Sequence, residues 1–136
     1  MLRNAMRILK GLALAGVLAG SAVAGEVPTE VSKLAGQKIT LHIQPFLTET
    51  ELFTLRQVAT NKQALKLFVT SAKGYAAIAV APKEGFIRDN AVVGSVVALF
   101  GLPDAASAVA AALKGCDAAR KGGLACVVVL EVGPGR

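Results

Sequence analysis

Few side chains in this chain of 136 residues are equipped for chemistry, and their spacing decides which chemistry is open to them. His42 is the single histidine, so a serine-histidine relay or an imidazole general base has to be built around it. It lies on the polar side of an alternating stretch, with Thr40 and Gln44 as same-face neighbours, which suits a hydrogen-bonded surface histidine. Cys116 and Cys126 are the only cysteines. A catalytic dithiol usually stands as Cys-x-x-Cys at a helix N-terminus, where the thiol pKa is depressed. Cys116 instead falls near the end of a predicted helix, with nine residues between the pair, and a structural disulfide is expected. With both cysteines bridged, one histidine and scattered carboxylates do not supply the three or four convergent ligands of a zinc site, so no metal is expected.

The carboxylates give no acid/base pair. Glu49 and Glu51 stand two apart at a helix start, diverge in azimuth, and are better read as capping groups. Glu84 and Asp89 share one loop, but that segment lacks the alternating oxygen ligands of a calcium loop. Gly133-Pro134-Gly135 has no helix after it and offers no phosphate cradle. Tyr75, Phe86 and Arg88 form a possible recognition patch, an aromatic at a strand start beside a Phe-Ile-Arg loop. The alternative is that Tyr75 and Phe86 cover the edge of the core. Without tryptophan and with six aromatics in all, a carbohydrate-stacking platform is not expected. No residue is assigned a catalytic role and no cofactor is expected.

The elements that must position these groups begin after a leader. Arg3, Arg7 and Lys10, the apolar run from Gly11 to Leu18, and Ala22-Val23-Ala24 have the three-part pattern of a secretory signal peptide cut after Ala24. The apolar run is too short to span a bilayer, which takes about 20 residues. Leu18-Ala19-Gly20-Ser21 has serine where a lipoprotein box carries its acylated cysteine, so a lipid anchor is not expected. A periplasmic or secreted protein without membrane attachment after cleavage is the expectation; an uncut leader acting as a tether is the alternative. Cleavage removes 24 residues and leaves 112, enough for one domain. Three of fifteen basic residues leave with the leader, so twelve face nine acidic ones and a net charge of +3 replaces +6. No run of four basic residues exists, and nucleic acid is not an expected partner.

Along residues 25–136, the segment 25–36 is expected to be a loose arm, with a helical turn over Glu30 to Ala35 closed by Gly36. Lys38 to Gln44 alternates as a half-buried strand. Thr48 and Glu51 form a capping box for a helix ending near Asn61. Leu65, Leu67 and Val69 alternate with Lys66, Phe68 and Thr70 and predict a strand. Tyr75 to Ala81 and Val92 to Phe100 predict two more, separated by an exposed loop over 83–90. Pro103-Asp104 opens an alanine-rich helix to Arg120, Leu124 to Val132 closes the domain as a strand, and residues 133–136 are expected to fray. The order β-α-β-β-β-α-β predicts an α+β domain, a small mainly antiparallel sheet with helices on one face.

Three segments, Gly74-Tyr-Ala-Ala-Ile-Ala-Val80, Ala111-Ala-Leu-Lys-Gly-Cys-Asp-Ala-Ala-Arg-Lys121 and Ala125-Cys-Val-Val-Val129, resemble a group of short exported bacterial proteins. In that group a Gly-Tyr strand precedes a Cys-bearing, alanine-rich helix and a Cys-Val-Val strand. The likeness covers Phe46 to Val132 and implies the fold and the disulfide. Some members carry the name 5-aminolevulinate synthase. That reaction uses pyridoxal phosphate on a lysine Schiff base in a much larger enzyme with cytoplasmic substrates, so the activity is not carried over. Expected instead is a non-catalytic exported module binding a protein or small ligand. A secreted hydrolase inhibitor presenting loop 83–90 and a small enzyme using His42 are the alternatives.

Overall fold

The computed structural model describes residues 27–71 and 73–135, so the leader over 1–24 lies outside the described residues. Strand β1 (Thr29–Leu34) turns into β2 (Gln37–His42). Helices α1 (Glu49–Thr60) and α2 (Lys62–Phe68) follow, then β3 (Tyr75–Val80). A two-stranded ribbon, β4 (Ile87–Arg88) and β5 (Ala91–Val92), leads to β6 (Val97–Leu102). Helix α3 (Ala105–Ala119) and β7 (Val127–Pro134) complete the chain. The main sheet has the order β1-β2-β7-β3-β6 with every neighbouring pair antiparallel. With the β1–β2 hairpin, the α1–α2 pair and the ribbon each counted once, the order is β-α-β-β-β-α-β, as expected for this α+β domain.

Local chemistry explains where the expectation and the structure part. Over its described part, segment 25–36 is not a loose arm: Thr29–Leu34 pairs along its whole length with β2. The turn between them, Ala35-Gly36, holds both residues at positive φ (54° and 79°), which matches the twist of a tight hairpin. Ser32 Oγ donates to the Ala59 carbonyl at 2.8 Å, and Glu30 takes both arms of the Arg56 guanidinium at 2.7 and 2.9 Å, fastening β1 to α1. The tail does not fray over its described part either. Gly133 and Pro134 pair with Lys38 and Gln37, and Gly135 N–H donates to the Gly36 carbonyl at 2.9 Å. Residues 62–68 form a helix where a strand was predicted, because Asn61 both ends α1 and caps α2, its Oδ1 accepting from Gln63 and Ala64 N–H. Leu65 and Val69 then reach the core, and Leu67 points into solvent.

The helices divide between the two faces of the sheet, which corrects the placement on one face. Strand β3 is apolar on both sides. Ala76, Ile78 and Val80 join Ile39, Leu41, Leu55, Val58 and Leu130 in the larger core under α1 and α2. Ala77, Ala79 and Ala81 face the other way, against Ala108, Ala112 and Cys116 of α3. An interface built from methyl groups lets the helix axis approach the sheet closely, and Gly115 brings it against Val97. The Cys116–Cys126 disulfide ties this helix to the approach of β7. Asp117 closes the same loop, Oδ1 accepting from the Cys126 amide (2.9 Å) and from Arg120 Nε (2.8 Å). Those two donors hold its carboxyl below the usual range.

Candidate functional site

Loop 83–90 is organised around one buried carboxylate. Thr48 and Glu51 form the expected capping box, with Glu51 Oε1 accepting from Thr48 N–H at 2.9 Å and Thr48 Oγ1 from Glu51 N–H at 3.1 Å. The second oxygen, Oε2, accepts from the Phe86 and Ile87 amides, both at 2.8 Å, and from Arg88 Nη1 at 2.5 Å. Glu51 is 1 % exposed. Burial alone would raise its pKa, but the amides of Ile87, Thr48 and Phe86, then the Arg88 charge, outweigh that and hold it below the usual carboxylate value. The helix cap and the anchor of the loop are thus one side chain. At the tip, Asp89 and Asn90 both take positive φ, as a two-residue hairpin turn requires.

This geometry takes the expected patch of Tyr75, Phe86 and Arg88 apart. Phe86 is fully buried and packs on Phe68 with ring centroids 5.7 Å apart. Tyr75 belongs to the α3 side of the sheet, its ring lying over Gly133. The two aromatics therefore serve opposite faces, and the alternative of aromatics covering the core is what the structure has. Strand alternation fixes the one, the Glu51 anchor fixes the other. Arg88 alone of the three offers its polar end outward, with 45 % of its side chain exposed.

Arg88 lines a cleft of about 510 Å³ with Glu84, Val93, Gly94, Ser95, Ala119 and Lys121, between the ribbon and the C-terminal end of α3. Ser95 is buried and its hydroxyl donates to Glu84 Oε1 at 2.6 Å, while the Lys121 amide donates to Oε2 at 2.5 Å. The Ser95 hydroxyl, then the Lys121 amide, hold the Glu84 carboxyl below its ordinary value. The floor of the cleft is thereby set before anything enters it. A hollow of about 70 Å³ beside Leu65 and Val69 is too small for a ligand, and two more are less suited to one. One of about 540 Å³ runs along Glu49, Phe53 and Arg56, but its described wall is a single helix and Glu30 already occupies Arg56. The other, about 250 Å³ beside Tyr75, Thr40 and Glu131, falls below the usual ligand range of roughly 300–1,000 Å³.

His42 stands apart from the cleft. Its Nε2 lies 2.7 Å from Glu131 Oε2, on the sheet face opposite α1 and α2. Glu131 escaped the sequence reading because β2 and β7 are far apart in the chain and become neighbours only through the sheet order. Glu84 is read from the sequence only as a loop carboxylate beside Asp89, and Ser95 carries no signal that pairs the two. Among the described residues, no three His, Cys, Asp or Glu side chains converge on a point where a metal ion could sit. No family model, curated protein or solved structure matches this chain. Among the described residues no helix is long and apolar enough to cross a membrane.

Proposed function

We propose that the protein is an exported, non-catalytic binding module, periplasmic or secreted, that holds its ligand in the cleft between the ribbon and the end of α3. The observation that carries this reading is preorganisation. Arg88 is held by buried Glu51 and Ser95 by Glu84, so the lining groups lose little freedom when a ligand arrives. Export rests on the signal-peptide pattern of residues 1–24. The decisive experiment is amide and side-chain NMR mapping of a small-molecule library. Ligands that perturb Val93, Ser95, Ala119 and Lys121 together support the reading; ligands that perturb only other surfaces refute it. Mass spectrometry of the exported protein tests the compartment: an N-terminus at Gly25 is expected, and retention of Met1 contradicts it.

A small enzyme centred on His42 is the second reading, favoured by the Glu131 carboxylate within hydrogen-bond reach of the imidazole. That reading requires substrate at the ring, so ligand-induced shifts of the His42 ring resonances separate the two proposals.

A further inference from the structure

We propose that the cleft takes a carboxylate group, clamped side-on by the free edge of the Arg88 guanidinium. The inference rests on the binding-module reading and adds the chemical class of the ligand. Three arginines lie among the described residues, and they are used differently. Arg56 gives Nε and Nη2 to Glu30, and Arg120 gives Nε to Asp117 and Nη1 to the Gly123 carbonyl. Arg88 gives only Nη1, to Glu51 and to the Ile87 carbonyl at 2.9 Å. Among the described residues nothing accepts from its Nε or Nη2. These two atoms form the planar edge that matches both oxygens of a carboxylate, and they belong to a side chain that lines the cleft.

The clamp is built rather than accidental. Gly85 sits at φ +82°, and a β-carbon there would collide with the guanidinium, so the loop leaves room for Arg88 to lie flat against its own backbone. From below, buried Glu51 fixes the far edge of the same group. Lys121 adds a second cation to the lining. Glu84 decides between anions. Its carboxylate stays in the cleft as a negative charge, bonded to Ser95 and the Lys121 amide. Glu51 and Glu84 offset the charges of Arg88 and Lys121, so the cleft carries no net positive charge to reward the second charge of a phosphate dianion, whereas a singly charged carboxylate needs only the fork.

The test is an NMR titration of the protein as produced by the cell with acetate, succinate, inorganic phosphate and acetamide. The readouts are the Arg88 Nε–H resonance and the amides of Gly94, Ser95 and Lys121. Saturable shifts with the carboxylates, weaker ones with phosphate and none with acetamide are expected. Arg88→Lys keeps the charge beside Glu51 but loses the fork, and should weaken carboxylate binding by roughly tenfold or more. Lys121→Ala, at an exposed position, should weaken it by roughly threefold. Phosphate binding tighter than the carboxylates, or acetamide shifting the same resonances, overturns the carboxylate assignment and leaves the cleft a ligand site. If no anion moves the cleft resonances while a neutral library compound does, the clamp is wrong and the binding reading survives. If no compound of any charge moves them, both fall.

Discussion

Replacing Glu51 by glutamine tests whether one carboxylate carries both the helix cap and the loop. The substitution keeps the shape and removes the charge. Glutamine has one carbonyl oxygen, and three donors (the Phe86 amide, the Ile87 amide and Arg88) converge on one side of the site. Its best orientation turns the oxygen to them and sets its own NH₂ against Thr48 N–H, donor facing donor. Losing the Thr48 N–H bond, the reciprocal half of the capping box, costs about 1 kcal/mol, while Thr48 Oγ1 still accepts from the residue 51 amide. Hydrogen bonds to a charged acceptor contribute about 1.5–3 kcal/mol each and neutral ones about half that, so the two amide bonds lose a further 1.5–3 kcal/mol together and the Arg88 bond adds to that. The Arg88 share falls at the low end because its half-exposed side chain is screened by solvent. A total of about 3–4 kcal/mol follows, a large part of the stability of a domain this size. Glu51→Ala strands the two amides as well and should cost about 4 kcal/mol or more. Urea unfolding followed by circular dichroism measures the loss, and hydrogen exchange at Phe86 and Ile87 locates it. The pH dependence provides an independent check. Because the native pKa of Glu51 is depressed, its contribution is fully present above the unfolded value of about 4.3 and disappears as pH falls through the lower native value. Glu51→Gln should lack that part of the acid slope. A variant within about 0.5 kcal/mol of the native protein, with unchanged exchange at both amides, would refute the reasoning.

Three further variants test other parts of the fold. Cys116→Ala with Cys126→Ala opens a loop spanning ten residues and should lower stability by about 3 kcal/mol, read as a shift of the urea midpoint; an unshifted midpoint contradicts the bridge's role. Ala35→Asn relieves an alanine at φ 54° in a position asparagine tolerates, and should gain about 0.5–1 kcal/mol, visible as a rise of a few degrees in Tm. Gly115→Ala puts a methyl 3.4 Å from a Val97 methyl, ordinary contact, while raising helix propensity; a gain of about 0.5–1 kcal/mol is expected, and a loss would mean that α3 cannot accept one more carbon against β6.

Elements governed by their own residues were legible in the sequence. The α1 start was readable because Thr48 and Glu51 complete their bonds within four residues. The α3 span was readable because alanine density and Asp104, which accepts from Ser107 N–H, act locally. What failed depended on partners. Thr29–Leu34 has a weak strand pattern, and it becomes a strand because Ala35-Gly36 folds it onto β2 and because Ser32 and Glu30 find α1. Leu65 to Val69 alternates in the sequence, yet Asn61 starts a helix there and tertiary burial of Leu65 and Val69 outweighs the period-two pattern. The split of helices between faces was written in β3 itself. Every residue from Ala76 to Ala81 is small or apolar, which is the pattern of a strand covered on both sides.

The site was less legible, for a reason that Glu51 makes plain. A capping box accounts for one carboxylate oxygen and gives no hint of what the other will accept, since Phe86 lies 35 residues away. Phe86, Ile87 and Arg88 read as one exposed recognition loop only while that oxygen is ignored. Once Oε2 collects two amides and a guanidinium, the loop must turn its backbone inward at Phe86, and the aromatic goes into the core with it. Arg88 is then held at one edge and left open at the other. The residue that removes Phe86 from the surface is thus the one that makes Arg88 a fixed donor. Glu51→Gln should consequently weaken carboxylate binding in the cleft as well as stability, and an intact affinity in that variant would show that the clamp does not depend on its anchor.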